Sequence, residues 1–270
     1  MTAETNDSIA ALRTQVRATR ADPAPVCFVI DNSASLKGMY GLTGLTKAQA
    51  VHQATDRLVH ALADSSIEGS DLVQRFSVRL LTFATDAQPL DPKHPGWRSI
   101  EDIAKHPYSV DSDDFPVNYI PPLEPNGRTN AKAGADLVLE DFRPEGMYIT
   151  IWDGGWTGED PGESMKRIRD GAHSSHVLIT GSECAPEVIF PTSTDDLPQT
   201  KQARELFEWS SPLSIQEIEQ AREFGLDARP GSRSMILNAS PEVLLAFIDM
   251  ATRSVEDTFF GRDLSLGESR

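Results

Sequence analysis

Five oxygen-bearing side chains stand at places where a folded chain could gather them. Asp31, Ser33 and Ser35 alternate in Asp31-Asn32-Ser33-Ala34-Ser35, directly after the apolar run Val26-Cys27-Phe28-Val29-Ile30. Thr129 lies in Asn126-Gly127-Arg128-Thr129-Asn130, and Asp153 opens Asp153-Gly154-Gly155 after Met147 to Trp152. In a locally extended loop, alternate residues point to the same side. Two carboxylates and three hydroxyls make an all-oxygen set, suited to a hard cation such as magnesium that keeps some of its water. Taken alone, Asp31 and Ser33 could equally cap the helix that follows. Thr129 and Asp153 bear on that choice, because capping predicts nothing about distant oxygens.

The elements that must position these residues read as an alternation of strands and helices. Val26 to Ile30 has strand length and no polar alternation, so it reads as a strand covered on both faces. Further strands are expected at Phe76 to Phe83, Met147 to Trp152, His176 to Thr180 and Ser234 to Asn238. Helices are expected at Ser8 to Arg20, Lys47 to Ala63, Ser99 to Lys105, through Ala133, Leu137 and Leu139, and at Glu163 to Asp170. Two more pieces fall at Thr200 to Trp209 and Ser214 to Phe224, and Ser240-Pro241 starts a final helix. Such alternation predicts an α/β, three-layer, Rossmann-like fold: a mostly parallel central sheet with helices on both faces. The expected division is a helical extension and linker over 1–25, a domain over 26–258 and a polar tail over 259–270. The stretch 181–231 is expected as an elaboration of the domain, and 95–123 is long for a simple connection. Ligands of open parallel sheets bind beyond the carboxyl ends of the strands. Asp31 and Asp153 each follow a strand there, and Thr129 precedes the helix that feeds the Asp153 strand.

These residues carry a resemblance. Asp31-Asn32-Ser33-Ala34-Ser35 resembles the DxSxS motif of von Willebrand factor A (vWA) domains. Gly127-Arg128-Thr129-Asn130 is similar to that family's Gly-x-Thr-Asn loop, and Asp153-Gly154-Gly155 to its Asp-Gly turn. The likeness spans Val26 to Val255, with 181–231 departing from the common pattern. It implies a complete metal-ion-dependent adhesion site (MIDAS). Ser33, Ser35 and Thr129 would bind Mg2+ or Mn2+, with Asp31 and Asp153 acting directly or through water. An Asp or Glu of a partner protein would complete the coordination. Ala34 and Arg128 stand where many members have glycine; neither change removes an oxygen, and Arg128 could clash with or steer an acidic partner.

The formal net charge of −16 over 270 residues argues against nucleic acid as a partner, since no basic stripe offsets the acids. No apolar stretch approaches membrane-spanning length. There are two cysteines, Cys27 and Cys184, with no CxxC pair, which disfavours a zinc ribbon or a disulfide framework and fits a cytoplasmic setting. Cys27 reads as a small core residue.

Other candidates fall away on chemistry. His173 and His176 lack further zinc ligands of the right type and read as solvated loop histidines. Asp111-Ser112-Asp113-Asp114 lacks the glycine and distal glutamate of a calcium loop. Gly38, Gly41 and Gly44 do not form a P-loop and read as a flexible turn beside the metal. Ser182 lacks the nucleophile elbow. Trp152 reads as core, and Trp156, beyond the Asp153 turn, as a residue that could touch a partner. The leading expectation is a non-enzymatic, metal-dependent protein-interaction domain, with Arg128 and Trp156 at the partner surface. Work beside an AAA+ ATPase or in a stress or defence system is a role the resemblance allows. The alternatives are a magnesium-dependent phosphate-ester hydrolase, which would need a general base, and a metal-free structural module.

Overall fold

A computed structural model describes residues 22–68, 71–110, 117–153, 155–180 and 186–260. The expected helix at Ser8 to Arg20, the acidic turn at 111–114, Ser182, Cys184 and the tail beyond 260 lie outside the described residues.

The centre is β1, Ala24–Asp31, whose alternate residues serve two different cores. Val26, Phe28 and Ile30 enter one apolar cluster, while Cys27 and Val29 enter the other. Period-two geometry sends successive side chains to opposite faces, so an unbroken apolar run needs cover on both. On one face lie α1 (Lys47–Asp64), through Val51, Ala54, Leu58 and Leu62, and the last helix, Pro241–Phe260, through Leu244, Phe247, Ile248 and Ala251. On the other lie α3 (Ala131–Glu140), α4 (Gly162–Gly171) and α5 (Lys201–Trp209). A fully buried side chain of this size contributes about 1.5–3 kcal/mol relative to an exposed one. The short α2 spans Ile100–Lys105, α6 spans Ile215–Glu223, and the last helix is α7.

The remaining strands of the sheet are β2 (Phe76–Phe83), β3 (Ala87–Pro89), β4 (Arg98–Ser99), β5 (Met147–Trp152), β6 (Ser174–Thr180), β7 (Val188–Ile189) and β8 (Met235–Ala239). They run in the order β3-β2-β1-β5-β6-β8-β7, with β4 also pairing β2. The five long strands are parallel; β3, β4 and β7 are short antiparallel edges. This is the expected three-layer α/β fold. The chain leaves β1 for β2 on one side and returns to β5 on the other. The switch point therefore falls between β1 and β5, the strands that end at Asp31 and just before Asp153.

His176 departs from expectation. It is fully buried inside β6, not in a solvated loop, and bonds Ser234 Oγ through one ring nitrogen and Ser174 Oγ, at 3.1 Å, through the other. Burial pushes its pKa down to about 3, with His173 acting in the same direction. The long connection is also anchored: Asp56 of α1 accepts from the amides of Tyr119, at 2.8 Å, and Ile120, at 3.1 Å. His60 sits 3.3 Å from Asp56 and its ring packs on Tyr119.

Candidate metal centre

Asp31 is the last residue of β1 and is fully buried. Its Oδ1 accepts the Ser33 amide at 2.7 Å, the turn that swings the chain out of the strand. Ser33 Oγ and Ser35 Oγ lie 2.8 Å apart, so alternation does bring the two hydroxyls to one side. A short 3-10 turn, Ala34–Lys37, follows, and Ser33 at its start makes no side-chain cap bond. The capping alternative thus fails for Ser33.

Thr129 is 9% exposed and is set in place through its backbone neighbours. The Asn126 amide donates to Asn32 O at 2.7 Å, and the Ala34 amide to Gly127 O at 3.2 Å, joining the Thr129 loop to the serine loop. The Asn130 amide donates to Ala84 O at 2.7 Å, and the Thr157 amide to Thr129 O at 2.7 Å. Gly127 has φ +74°, and a Cβ there would meet Thr85 Oγ1 at 2.5 Å. Only glycine fits both constraints. Asn130 then caps α3 by accepting from the Ala133 amide at 3.3 Å. Thr85, which accepts the Arg128 amide at 3.2 Å, and Thr157 were not foreseen. No local pattern marks them, because each acts across a contact between distant segments.

Asp153 faces Asp31 from the end of β5. Burial pushes the Asp31 carboxyl up to about 6; bonds from Ser33 oppose this, and the Asp153 charge adds to it. Asp31 Oδ2 and Asn32 Oδ1 are buried with no hydrogen-bond partner. Such orphans are rare in native proteins, and a bound ion or water is one of their few causes. The residues present therefore fit a hard cation: two carboxylates, one with a free buried oxygen, beside paired hydroxyls. Among the described residues no group of three or more His, Cys, Asp or Glu could hold a metal. A site here would depend on its hydroxyls. Lys47 Nζ, also unforeseen, lies 3.6 Å from Asp153 Oδ2.

The two proposed partner contacts differ. Arg128 is exposed. Trp156 is half-buried, with ring centroids 5.1 Å from Trp209 and 6.2 Å from Trp152. Trp152 is fully buried, as expected of core.

No family model matches the sequence, and no curated protein does. Solved structures do resemble the fold. Proximal thread matrix protein 1 from the mussel byssus superposes with a TM-score of 0.50 at 13% identity, covering 85% of this chain and 47% of that one. A second structure of that protein, described as having a zinc-occupied MIDAS motif, gives 0.50 at 14% identity over 87% and 48%. The PilB minor pilin from Streptococcus sanguinis gives 0.51 at 13% identity over 92% and 64%. The fold is of the vWA type. The chain spans about half of the mussel protein and under two thirds of the pilin. At this identity the likeness carries the vWA fold and nothing finer.

Proposed function

We propose that the protein is a metal-dependent protein-interaction module rather than an enzyme. Its Asp31, Ser33, Ser35, Thr129 and Asp153 would hold Mg2+ or Mn2+ at the β1/β5 switch point. The observation that carries this reading is the buried, unpartnered Asp31 Oδ2, facing Asp153 and adjoining the Ser33–Ser35 pair. The bound ion would supply an electrophilic point that accepts a partner's Asp or Glu carboxylate. The chain's residues do the rest. Ser33 holds the Asp31 carboxylate through its amide, and the Gly127 turn presents Thr129. Arg128, exposed beside the site, attracts the incoming acid, and Trp156 adds apolar surface at the rim. In a chain of net charge −16, such a site attracts an acidic group locally where the bulk surface repels it. The mussel protein with a zinc-occupied MIDAS supports a metal at this place in the fold. The reading takes 26–258 as the module, a cytoplasmic setting, and service beside an AAA+ ATPase or a stress or defence system as its context. Among the described residues no helix is long and apolar enough to cross a membrane.

The test is partner capture by the full chain and by Asp31→Ala, with magnesium and with a chelator. Retention of an acidic partner should need both Asp31 and the metal. Partners that bind regardless of either treatment would overturn the proposal.

A further inference from the structure

Lys47 occupies the first position of α1, where the positive end of a helix disfavours a cation. Its side chain nonetheless turns inward: it is 16% exposed, with Nζ 3.6 Å from an Asp153 side chain that is 8% exposed. The backbone at Lys47 is anchored on two sides. Thr46 and Gln49 form a reciprocal capping box, and the Lys47 amide donates to Gly38 O at 2.9 Å. Confining a lysine sacrifices much rotamer freedom, and solvent would accept the ammonium without that loss. The ion pair brings the start of α1 against the end of β5. The two carboxylates are thus served unequally: Asp153 faces an ammonium, and Asp31 Oδ2 has no partner.

We infer that Lys47 is a tethered competitor of the divalent ion, a positioning residue that sets how tightly the site holds metal. The inference rests on the cation reading above. Two aspartates and one lysine present a net charge of −1; without the lysine they present −2. A dication entering beside Asp153 must displace the ammonium or bear its repulsion. The ion is therefore held less firmly than the oxygen set alone would hold it. An arriving carboxylate offsets the lysine's charge, so ion and acidic partner reinforce each other's binding. This is a direct coupling between two ligands at one place, and by linkage it is reciprocal.

The test is Mn2+ binding to the full chain, measured by calorimetric titration for wild type, Lys47→Met, Lys47→Gln, Lys47→Arg and Asp31→Ala. Each neutral variant should bind Mn2+ about tenfold more tightly, the scale of a unit charge against a dication a few ångströms away in well-screened surroundings. Lys47→Arg, which keeps the charge, should stay near wild type. A purely structural lysine would leave affinity unchanged or reduce it in all three. Equal or weaker Mn2+ binding by the folded neutral variants, with binding lost in Asp31→Ala, overturns the role of Lys47 and leaves the cation site standing. Undiminished binding by Asp31→Ala overturns the site itself.

Discussion

Asp31→Asn should make the metal-free protein more stable while removing its response to metal. Burial and the nearby Asp153 raise the Asp31 carboxyl from its ordinary 3.8 to about 6. Ionised Asp31 is therefore a burden on the fold, and the rise corresponds to about 3 kcal/mol above pH 6. An asparagine keeps an oxygen to accept the Ser33 amide. It places a new N–H2 where Oδ2 lies without a partner, a loss of about 1 kcal/mol. The net gain is about 2 kcal/mol, or roughly 4–8 °C in melting temperature for a domain of this size. The sign follows from the raised folded value. The penalty on wild type is absent below about pH 4, where the carboxyl is protonated in both states, and complete above about pH 6. The advantage of the variant should follow the same course. Urea unfolding of both proteins in chelator at pH 7.5 and pH 4 tests this, and Mn2+ should stabilise wild type alone. A variant less stable than wild type at pH 7.5, or an advantage that persists at pH 4, would refute the reasoning.

Three further outcomes are expected. His176, held neutral in the core with its pKa down at about 3, contributes stability that is complete above about pH 6.5 and declines as pH falls toward 3. Between pH 7 and pH 4.5 the loss should be about 2–3 kcal/mol, seen in denaturant midpoints and missing from His176→Gln. Gly127→Ala meets both a positive φ and Thr85 Oγ1. It should destabilise by about 1–3 kcal/mol and weaken Mn2+ binding by displacing Thr129, both measurable on one purified variant. Asp56→Ala strips the acceptor from two amides of the 117–123 segment. A loss of about 2–3 kcal/mol, with faster proteolytic cleavage in that segment, would show that Asp56 anchors it.

The long elements were legible in the sequence because their apolar patterns are local. Met147 to Trp152 is the observed strand, and Lys47 to Ala63 is short of the observed helix by one residue. That Asp31 and Asp153 meet was legible because the switch point lies where two apolar runs end in aspartate. The edges were not. Val188–Ile189 and Arg98–Ser99 are too short to show a period and exist only through pairing with β8 and β2. β6 begins two residues ahead of its apolar run, at Ser174 and Ser175, which look like loop. They are buried, and His176 is tolerated beside them because Ser234 of the β8 side supplies a partner. Lys47 was invisible for a similar reason: a lysine opening a helix looks solvated until the neighbouring strand brings Asp153 to it.

The loops at the rim are stitched together peptide to peptide: Asn126 to Asn32, Ala34 to Gly127, Asn130 to Ala84 and Thr157 to Thr129. Main-chain groups are the same in every residue but proline. The frame that presents the oxygens therefore depends on few of the side chains hung on it, chiefly the glycine at 127 and the hydroxyls of Thr85 and Thr157. Replacing the exposed Arg128, Met39 or Leu42 alters what an approaching surface touches without rebuilding that frame. Under the proposed reading, selection could re-aim the choice of companion through such changes while leaving alone the residues that would hold the ion.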